Sequence, residues 1–462
     1  MNFEQVYLGC LAHASYVLGS QGVGVVVDPQ RDVDAYLKIA AEQNLELKYI
    51  FETHLHADFV SGHRELAERT GAKICIAAEA HAKFEHVPLN DGDEFTFGEC
   101  RIRVLTTPGH TPESICLLLM DESSEPWAVL TGDTLFIGDV GRPDLSRTHT
   151  SEQLAGMMFD SLHQKLLTLP DKTLVYPAHG AGSLCGRNMR AERFSTIGTE
   201  RLSNYALQIK SRDEFVRQMT SNLPARPEYF LADAEINRAG APAMSFEAIP
   251  ALQPEQVIDL QRRDVVLLDT RPSEQFGAEH IPGSVAIGLS GQFASWAGAV
   301  IGLHAPVVII PESRELAEEA RMRLARVGIE NVLGYLEGGV EAWKGTGART
   351  ISLRQMTVRQ LSESVEHGEV SVLDVRRESE WNAGHIAGAK WHALDDFPRG
   401  MPALKDSTVA VYCKGGYRSV IACSLLMRAG YTNVVDVIGG FDAWVAEKLP
   451  VSMEDNRHAT AS

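Results

Sequence analysis

The second half of the chain is written twice, and that repeat limits the possible architectures more than any other feature. VVLLDTRPSEQFGAEHIPGSV at 265–285 aligns with VSVLDVRRESEWNAGHIAGAK at 370–390, and LEGGVEAW at 336–343 aligns with VIGGFDAW at 437–444, each pair offset by about a hundred residues. Each copy alternates apolar strand patterns with helical ones such as SVIACSLLMRAG at 419–430, which predicts a parallel sheet with helices outside it. Two copies of one small α/β domain, 250–350 and 355–450, therefore follow a larger first domain, 1–240. A Pro-, Ala- and Gly-rich stretch around Pro224 to Pro254 reads as the connection.

The first domain alternates short apolar strands with helices. GVGVVVDP (22–29) is a strand stopped by Asp28-Pro29, VDAYLKIAAEQN (33–44) has helical spacing, and LKYIFETHLH (47–56) is a buried strand running into a polar loop. Further strands are predicted at RIRVLTTP (101–108), ICLLLM (115–120), WAVLTGD (127–133) and TLVYPAHG (173–180), and three of these four end in a polar cluster holding His or Asp. This order implies an α/β or α+β layer fold.

Composition narrows the partners. With 43 Lys and Arg against 61 Asp and Glu the net charge is −18, which repels phosphodiester backbones, so no nucleic acid partner is expected. Cys10, Cys75, Cys100, Cys116, Cys185, Cys413 and Cys423 form no CxxC pair and no disulfide-like spacing, which suits a reducing, cytoplasmic compartment. Glu4 and the lack of a basic residue before the first apolar stretch argue against a leader, and the apolar run from Trp296 to Ile310 is broken by His304 and Pro306, so no membrane association is expected.

Thr53-His54-Leu55-His56-Ala57-Asp58 puts two imidazoles and a carboxylate at alternate positions after an apolar run. In an extended segment alternate side chains project the same way, so His54, His56 and Asp58 are expected to share a pocket. Later strand ends add His110 in TPGHT, Asp133 in TGDT and His179 in YPAHG. Any one of these residues could cap a helix or close a turn, but four such clusters in order, each after a strand, argue for a metal centre.

THLHAD, TPGHT, TGDT and YPAHG resemble the motifs of the metallo-β-lactamase superfamily. The resemblance implies an αββα sandwich with a metal site at one edge of its two sheets. Hydrolytic members with two metals need a histidine directly after the aspartate of the first motif; here Phe59 stands there, and a phenyl ring cannot coordinate. Two imidazoles and one carboxylate with open positions suit a non-haem Fe(II) that activates O₂. HADFVSGHREL (56–66) and GDVGRPDL (138–145) resemble the persulfide dioxygenase branch. That resemblance implies His54, His110 and Asp133 as ligands of one Fe(II) per chain, with O₂ as co-substrate. It leaves His56, Asp58 and His179 to orient ligands or substrate through hydrogen bonds. Arg142 is a candidate for a substrate carboxylate or persulfide, against the alternative of a solvated loop arginine. Cys185 is read as packing, with a redox-active thiol as the alternative.

In the last repeat, VAVYCKGGYRSVIACSLL (409–426) runs from a strand through Cys413-Lys414-Gly415-Gly416-Tyr417-Arg418 into a helix. Such a loop turns several N–H groups toward one atom, and these dipoles together with Arg418 favour an anion, so it can stabilise a thiolate or persulfide on Cys413. A cysteine after a strand is more often a small buried hydrophobe, the reading given to Cys423. With LDVRRESEWNAGHIAGA before it and GGFDAW after it, the segment is similar to a rhodanese sulfurtransferase domain. That likeness implies Cys413 and Arg418 as catalytic, and Lys414, Gly415, Gly416 and Tyr417 as substrate-binding. The middle repeat reads VVIIPESRELA (307–317), with Pro311 in the cysteine's place, and is expected to be a rhodanese-like spacer or packing domain; whether Arg314 keeps an anion pocket there stays open.

The whole resembles a persulfide dioxygenase fused to a cysteine-free and an intact rhodanese domain. The expected reaction oxidises a low-molecular-weight persulfide, such as glutathione persulfide, to sulfite, which Cys413 converts to thiosulfate, in sulfide detoxification. Fusion raises the effective concentration of sulfite at the second site. The reverse direction uses the same residues. The alternatives are a glyoxalase II-like zinc thioester hydrolase, which Phe59 opposes, and a non-enzymatic sulfur carrier or sensor. A homo-oligomer is expected.

Overall fold

The computed structural model describes residues 1–221, 223, 226–244, 248–404 and 408–453. The chain forms two compact units, Met1–Phe246 with Ala325–Gly328, and Glu247–Leu324 with Ile329–Ser462.

In the first unit, two six-stranded sheets form, and their inner strands, such as His13–Ser20, Val23–Val27 and Ile115–Met120, are buried on both faces. One sheet runs in sequence order from Asn2–Leu8 through His13–Ser20, Val23–Val27, Glu46–Phe51 and Lys73–Ala77 to Val87–Leu89. The other is ordered Ser195–Thr196, Leu174–Pro177, Pro126–Gly132, Ile115–Met120, Cys100–Thr106, Glu94–Phe97. Because side chains alternate along a strand, Tyr16, Leu18, Val25 and Val27 share a core with Ile102, Val104, Leu117 and Leu119. Val17, Val26 and Ile50 instead pack with Tyr36 and Leu66 of the helices Asp34–Glu42 and His63–Thr70. Cys116, Leu118 and Val129 pack with Met158, Leu162 and Phe215 of the helices Ser151–Gln164 and Arg212–Thr220. The layers are thus helix, sheet, sheet, helix, as the motifs imply.

The stretch read as a connection holds a helix, Phe230–Ala239, that belongs to the first unit. Its polar residues hid this in the sequence. Pro224, where that stretch begins, lies outside the described residues.

The second unit contains two five-stranded parallel sheets with one strand order. The middle repeat has Ala251–Leu252, Val332–Leu336, Val307–Ile310, Val266–Asp269, Val285–Ala286, and the last has Arg354–Met356, Val434–Val437, Thr408–Tyr412, Val370–Asp374, Lys390–Trp391. The repeated letters are structural. In LDTR and LDVR the arginine folds back on the aspartate two residues earlier, with Arg271 Nη2 2.6 Å from Asp269 Oδ2 and Arg376 Nη2 2.6 Å from Asp374 Oδ2. Each also donates to a carbonyl, of Glu279 and Gly384. His280 stacks on Phe276 and His385 on Trp381. The indole N–H groups of Trp343 and Trp444 donate to the carbonyls of Arg349 and Pro450.

Removing one partner of a buried ion pair leaves the other charge without compensation. Arg376→Ala is therefore expected to destabilise the last repeat by about 3 kcal/mol, seen as an earlier urea midpoint of the transition that reports its tryptophans.

Candidate metal centre and cysteine site

The metal-site residues of the first unit lie at strand ends and are fixed from behind. Thr53 donates its hydroxyl to Asp28 Oδ2 (2.8 Å), and the Thr53 N–H donates to Asp28 Oδ1 (2.7 Å). The Thr53 oxygen is then left to accept from His54 Nδ1, 3.0 Å away. His110 Nδ1 lies 2.9 Å from the Arg142 carbonyl, which can only accept. In both rings the proton sits on Nδ1, and Nε2 keeps its lone pair.

Those two Nε2 atoms and Asp133 Oδ2 are buried without hydrogen-bond partners. His54 Nε2 is 3.9 Å and His110 Nε2 3.4 Å from Asp133 Oδ2, and the three atoms lie within 4.8 Å of one another. Such spans are bridged by one ion with bonds of about 2 Å. Two lone pairs and a carboxylate oxygen left orphaned in a dry site are the donor set that an ion satisfies. Burial, reinforced by neighbouring His56, holds His54 well below the usual imidazole range, and burial lowers His110 against the pull of Asp133. Both are neutral, as ligation requires.

The remaining motif residues do not converge on that point. After Phe51 the chain leaves the sheet, so strand alternation ends before the motif begins. His56 Nε2 turns to Asp28 Oδ1 (3.1 Å) and Glu52 Oε2 (3.7 Å). Asp58 Oδ2 meets His179 Nε2 at 2.9 Å, and His179 Nδ1 donates to Asp133 Oδ1 at 2.7 Å. The shared pocket expected for His54, His56 and Asp58 is thus three neighbouring groups: His54 with His110 and Asp133, Asp58 with His179 and Cys185, and His56 with Asp28 and Glu52. Burial opposes charge on His179, but Asp133 and Asp58 outweigh it and raise its pKa well above the usual range.

Phe59 is fully buried, its ring centroid 4.2 Å from that of His13 and 4.3 Å from that of His56. Arg142 is not the solvated loop arginine of the alternative reading, and its guanidinium is already engaged within the protein. It is buried, with Nε and Nη2 donating to Asp144 at 2.6 and 2.8 Å and Nη1 donating to the Leu184 carbonyl at 3.2 Å. Its visible contribution is the backbone carbonyl that orients His110. The turn must be tight, since a Cβ on Gly141 would lie 2.1 Å from the Asp133 carbonyl. Cys185 is buried beside Asp58 and His179, and burial first, then Asp58 and Asp133, raise its pKa well above the usual thiol value.

Sequence reasoning missed Asn237. Its amide donates to the carbonyls of His56 (2.7 Å) and Phe59 (2.8 Å) and accepts from the Ser61 N–H (2.8 Å), pinning the motif loop. It also missed His13, buried against Phe59, His56 and His179, and Asp233, whose two carboxylate oxygens are buried without hydrogen bonds. These contacts come from far along the chain and leave no local motif; the one clue was a polar residue recurring on a short helix.

In the second unit Cys413 directly follows the strand Thr408–Tyr412. The Gly416 N–H donates to its Sγ at 3.1 Å, from the left-handed position (φ 104°) that opens the helix Tyr417–Arg428. The second repeated motif braces this loop. The Phe441 N–H donates to the Cys413 carbonyl (2.8 Å) and the Asp442 N–H to that of Lys414 (2.9 Å). Arg418 is held by both carboxylate oxygens of Glu380, at 2.6 and 2.7 Å, so its charge flanks the cysteine from a fixed position. Lys414, Gly415, Tyr417 and Arg418 line an opening beside Cys413, and the Tyr417 hydroxyl donates to the Gly288 carbonyl of the middle repeat. Gly416 contributes its N–H. Cys423 is fully buried, as read.

Comparison with known proteins supports this division. Residues 8–179 match the model of the metallo-beta-lactamase superfamily, and 253–346 and 357–447 each match that of the rhodanese-like domain. The bovine (Bos taurus) mitochondrial persulfide dioxygenase ETHE1 is 33% identical over 221 residues, 46% of this chain and 77% of the relative. A hydroxyacylglutathione hydrolase of Brucella anthropi is 37% identical over 176 residues, 36% of this chain and 63% of the relative. The crystal structure of a metallo-beta-lactamase from Staphylococcus aureus superposes with a TM-score of 0.67 at 32% identity, covering 72% of this chain and 98% of that one. Among the described residues no helix is long and apolar enough to cross a membrane. With the first unit and both repeats matched in this way, the chain belongs to the persulfide dioxygenase branch of the metallo-β-lactamase superfamily and carries two rhodanese-like domains behind it.

Proposed function

We propose that the protein oxidises a low-molecular-weight thiol persulfide, such as glutathione persulfide, to sulfite in its first unit and converts that sulfite to thiosulfate at Cys413. The observation that carries the first step is the orphaned, desolvated trio of His54 Nε2, His110 Nε2 and Asp133 Oδ2. These residues would hold one Fe(II), which supplies open coordination positions and the redox chemistry that a reaction with O₂ needs. Thr53 and the Arg142 carbonyl keep the two imidazoles in the ligating tautomer. His179 holds a proton at Nδ1 against Asp133 Oδ1, which steers Oδ2 toward the metal position. Phe59 and His13 pack against each other and against His56 and His179, which flank the trio. The balance is one persulfide, one O₂ and one water giving the free thiol, sulfite and two protons.

At the second site the Cys413 thiolate attacks the outer sulfur of another persulfide, and the inner sulfur leaves as thiolate with the electron pair of the broken S–S bond. Sulfite then attacks the outer sulfur now on Cys413. Thiosulfate departs, the cysteine regains its electron pair as thiolate, and the proton of the persulfide passes to the carrier thiolate. The Gly416 N–H stabilises the thiolate at both ends of this cycle.

A zinc thioester hydrolase is the competing reading, favoured by the hydroxyacylglutathione hydrolase relative. Phe59 removes a ligand that a second metal would need, and Asp58 is already paired with His179.

Two variants separate the steps. His110→Ala is expected to lower iron from one per chain to near zero by elemental analysis and to abolish O₂ uptake with glutathione persulfide, while sulfur transfer through Cys413 persists; retained iron would contradict the ligand assignment. Cys413→Ser is expected to keep O₂ uptake but to release sulfite in place of thiosulfate, measured by ion chromatography, and an unchanged thiosulfate yield would refute the coupling.

A further inference from the structure

The opening beside Cys413 has a volume of about 480 Å³, and the middle repeat builds part of its wall, with Gly291, Gln292 and Trp296 lining it together with Arg377, Lys414 and Arg418. The loop carrying this wall is fastened from both repeats. Arg323 Nη1 and Nη2 donate to the carbonyls of Leu289 (2.6 Å) and Gly291 (3.2 Å), and the Tyr417 hydroxyl donates to that of Gly288 (2.8 Å). Gly291 takes the left-handed conformation (φ 74°) that the turn requires, and a Cβ there would touch the Tyr417 ring at 3.7 Å. Trp296 is buried, with the Arg377 guanidinium 5.8 Å from its ring centroid.

This construction is poorly matched to a small inorganic donor. Sulfite or thiosulfate would occupy a fraction of such a space, whereas openings of about 300–1,000 Å³ with an aromatic wall and a few placed charges suit small organic molecules. Arg418 is committed to Glu380 by two hydrogen bonds, while Arg377 is held only by a longer ion pair, its Nε 3.6 Å from Asp395 Oδ2, which leaves hydrogen-bonding capacity on its guanidinium. Arg377 is therefore placed to meet a carboxylate of an incoming molecule lying along the indole.

We propose that the cysteine-free middle repeat supplies the specificity wall of the Cys413 site, with Trp296 and Arg377 selecting an organic, carboxylate-bearing persulfide over thiosulfate as sulfur donor. This rests on the sulfur-transfer reading of Cys413 and names its donor class. The indole receives the carbon skeleton of the donor and Arg377 its carboxylate, bringing the outer sulfur to Sγ. In the transfer the new S–S bond forms on Cys413 as the donor's S–S bond breaks, and the carrier thiolate leaves with the electron pair.

The test measures kcat/KM of the full-length protein with glutathione persulfide and with thiosulfate as donors, cyanide being the common acceptor. Trp296→Ala is expected to lower the ratio of the two values about tenfold, the scale of losing one well-placed aromatic contact with its cation. Trp296→Phe is expected to restore most of that ratio. Should the alanine variant fail to fold, Arg377→Gln reads the same ratio and is expected to lower it. An unchanged ratio, or equal loss with both donors, overturns the inference and leaves Cys413 as a sulfurtransferase. A wild-type protein that takes sulfur from neither donor overturns the reading of Cys413 itself.

Discussion

The first unit depends on keeping two imidazole lone pairs and one carboxylate oxygen free of hydrogen bonds in a site closed to water. Three such atoms, unsatisfied, cost several kcal/mol of desolvation. The structure tolerates them because every other polar atom of the three side chains is tied down. Thr53 and Asp28 secure His54, the Arg142 carbonyl secures His110, and His179 secures Asp133. Asp28 lies at the end of a neighbouring strand, Arg142 in a turn that only Gly141 can bring so near Asp133, and His179 at the end of a third strand. Binding of an ion would then stabilise the fold as well as serve the chemistry, since it replaces the missing partners of atoms the fold cannot satisfy alone.

The last repeat solves a different problem with backbone. Its cysteine needs partial positive charge without a metal, and the Gly416 N–H at the start of a helix provides it. The segment after the strand Val434–Val437 supports the loop from below through Phe441 and Asp442. In the middle repeat the same strand order survives without the nucleophile. Pro311 stands in the cysteine's place, and the glycine turn and Trp296 of this repeat line the neighbouring opening.

Much of this was legible in the sequence, for identifiable reasons. Apolar strands of four to seven residues ending in His or Asp announce both a layered fold and the donor set, and a hundred-residue repeat announces its own domains. The direction of His56 was not legible, because alternation holds only while the chain stays in a sheet, and it leaves the sheet after Phe51. Arg142 looked available because the pairing with Asp144 two residues on depends on the turn geometry and Leu184 is remote in sequence. Asn237 and Trp296 were invisible for a shared reason, as each acts on a segment remote in sequence. Asn237 also lies in a stretch whose prolines, alanines and glycines suggest a connection rather than a helix.

The central claim is that the buried trio holds iron for a reaction with O₂, and the most direct measurement is O₂ uptake by anaerobically prepared, Fe(II)-loaded wild-type protein on addition of glutathione persulfide, with sulfite and thiosulfate quantified together. The account predicts uptake of one O₂ for each persulfide oxidised. A protein that takes up no O₂, retains zinc and cleaves a glutathione thioester would contradict it.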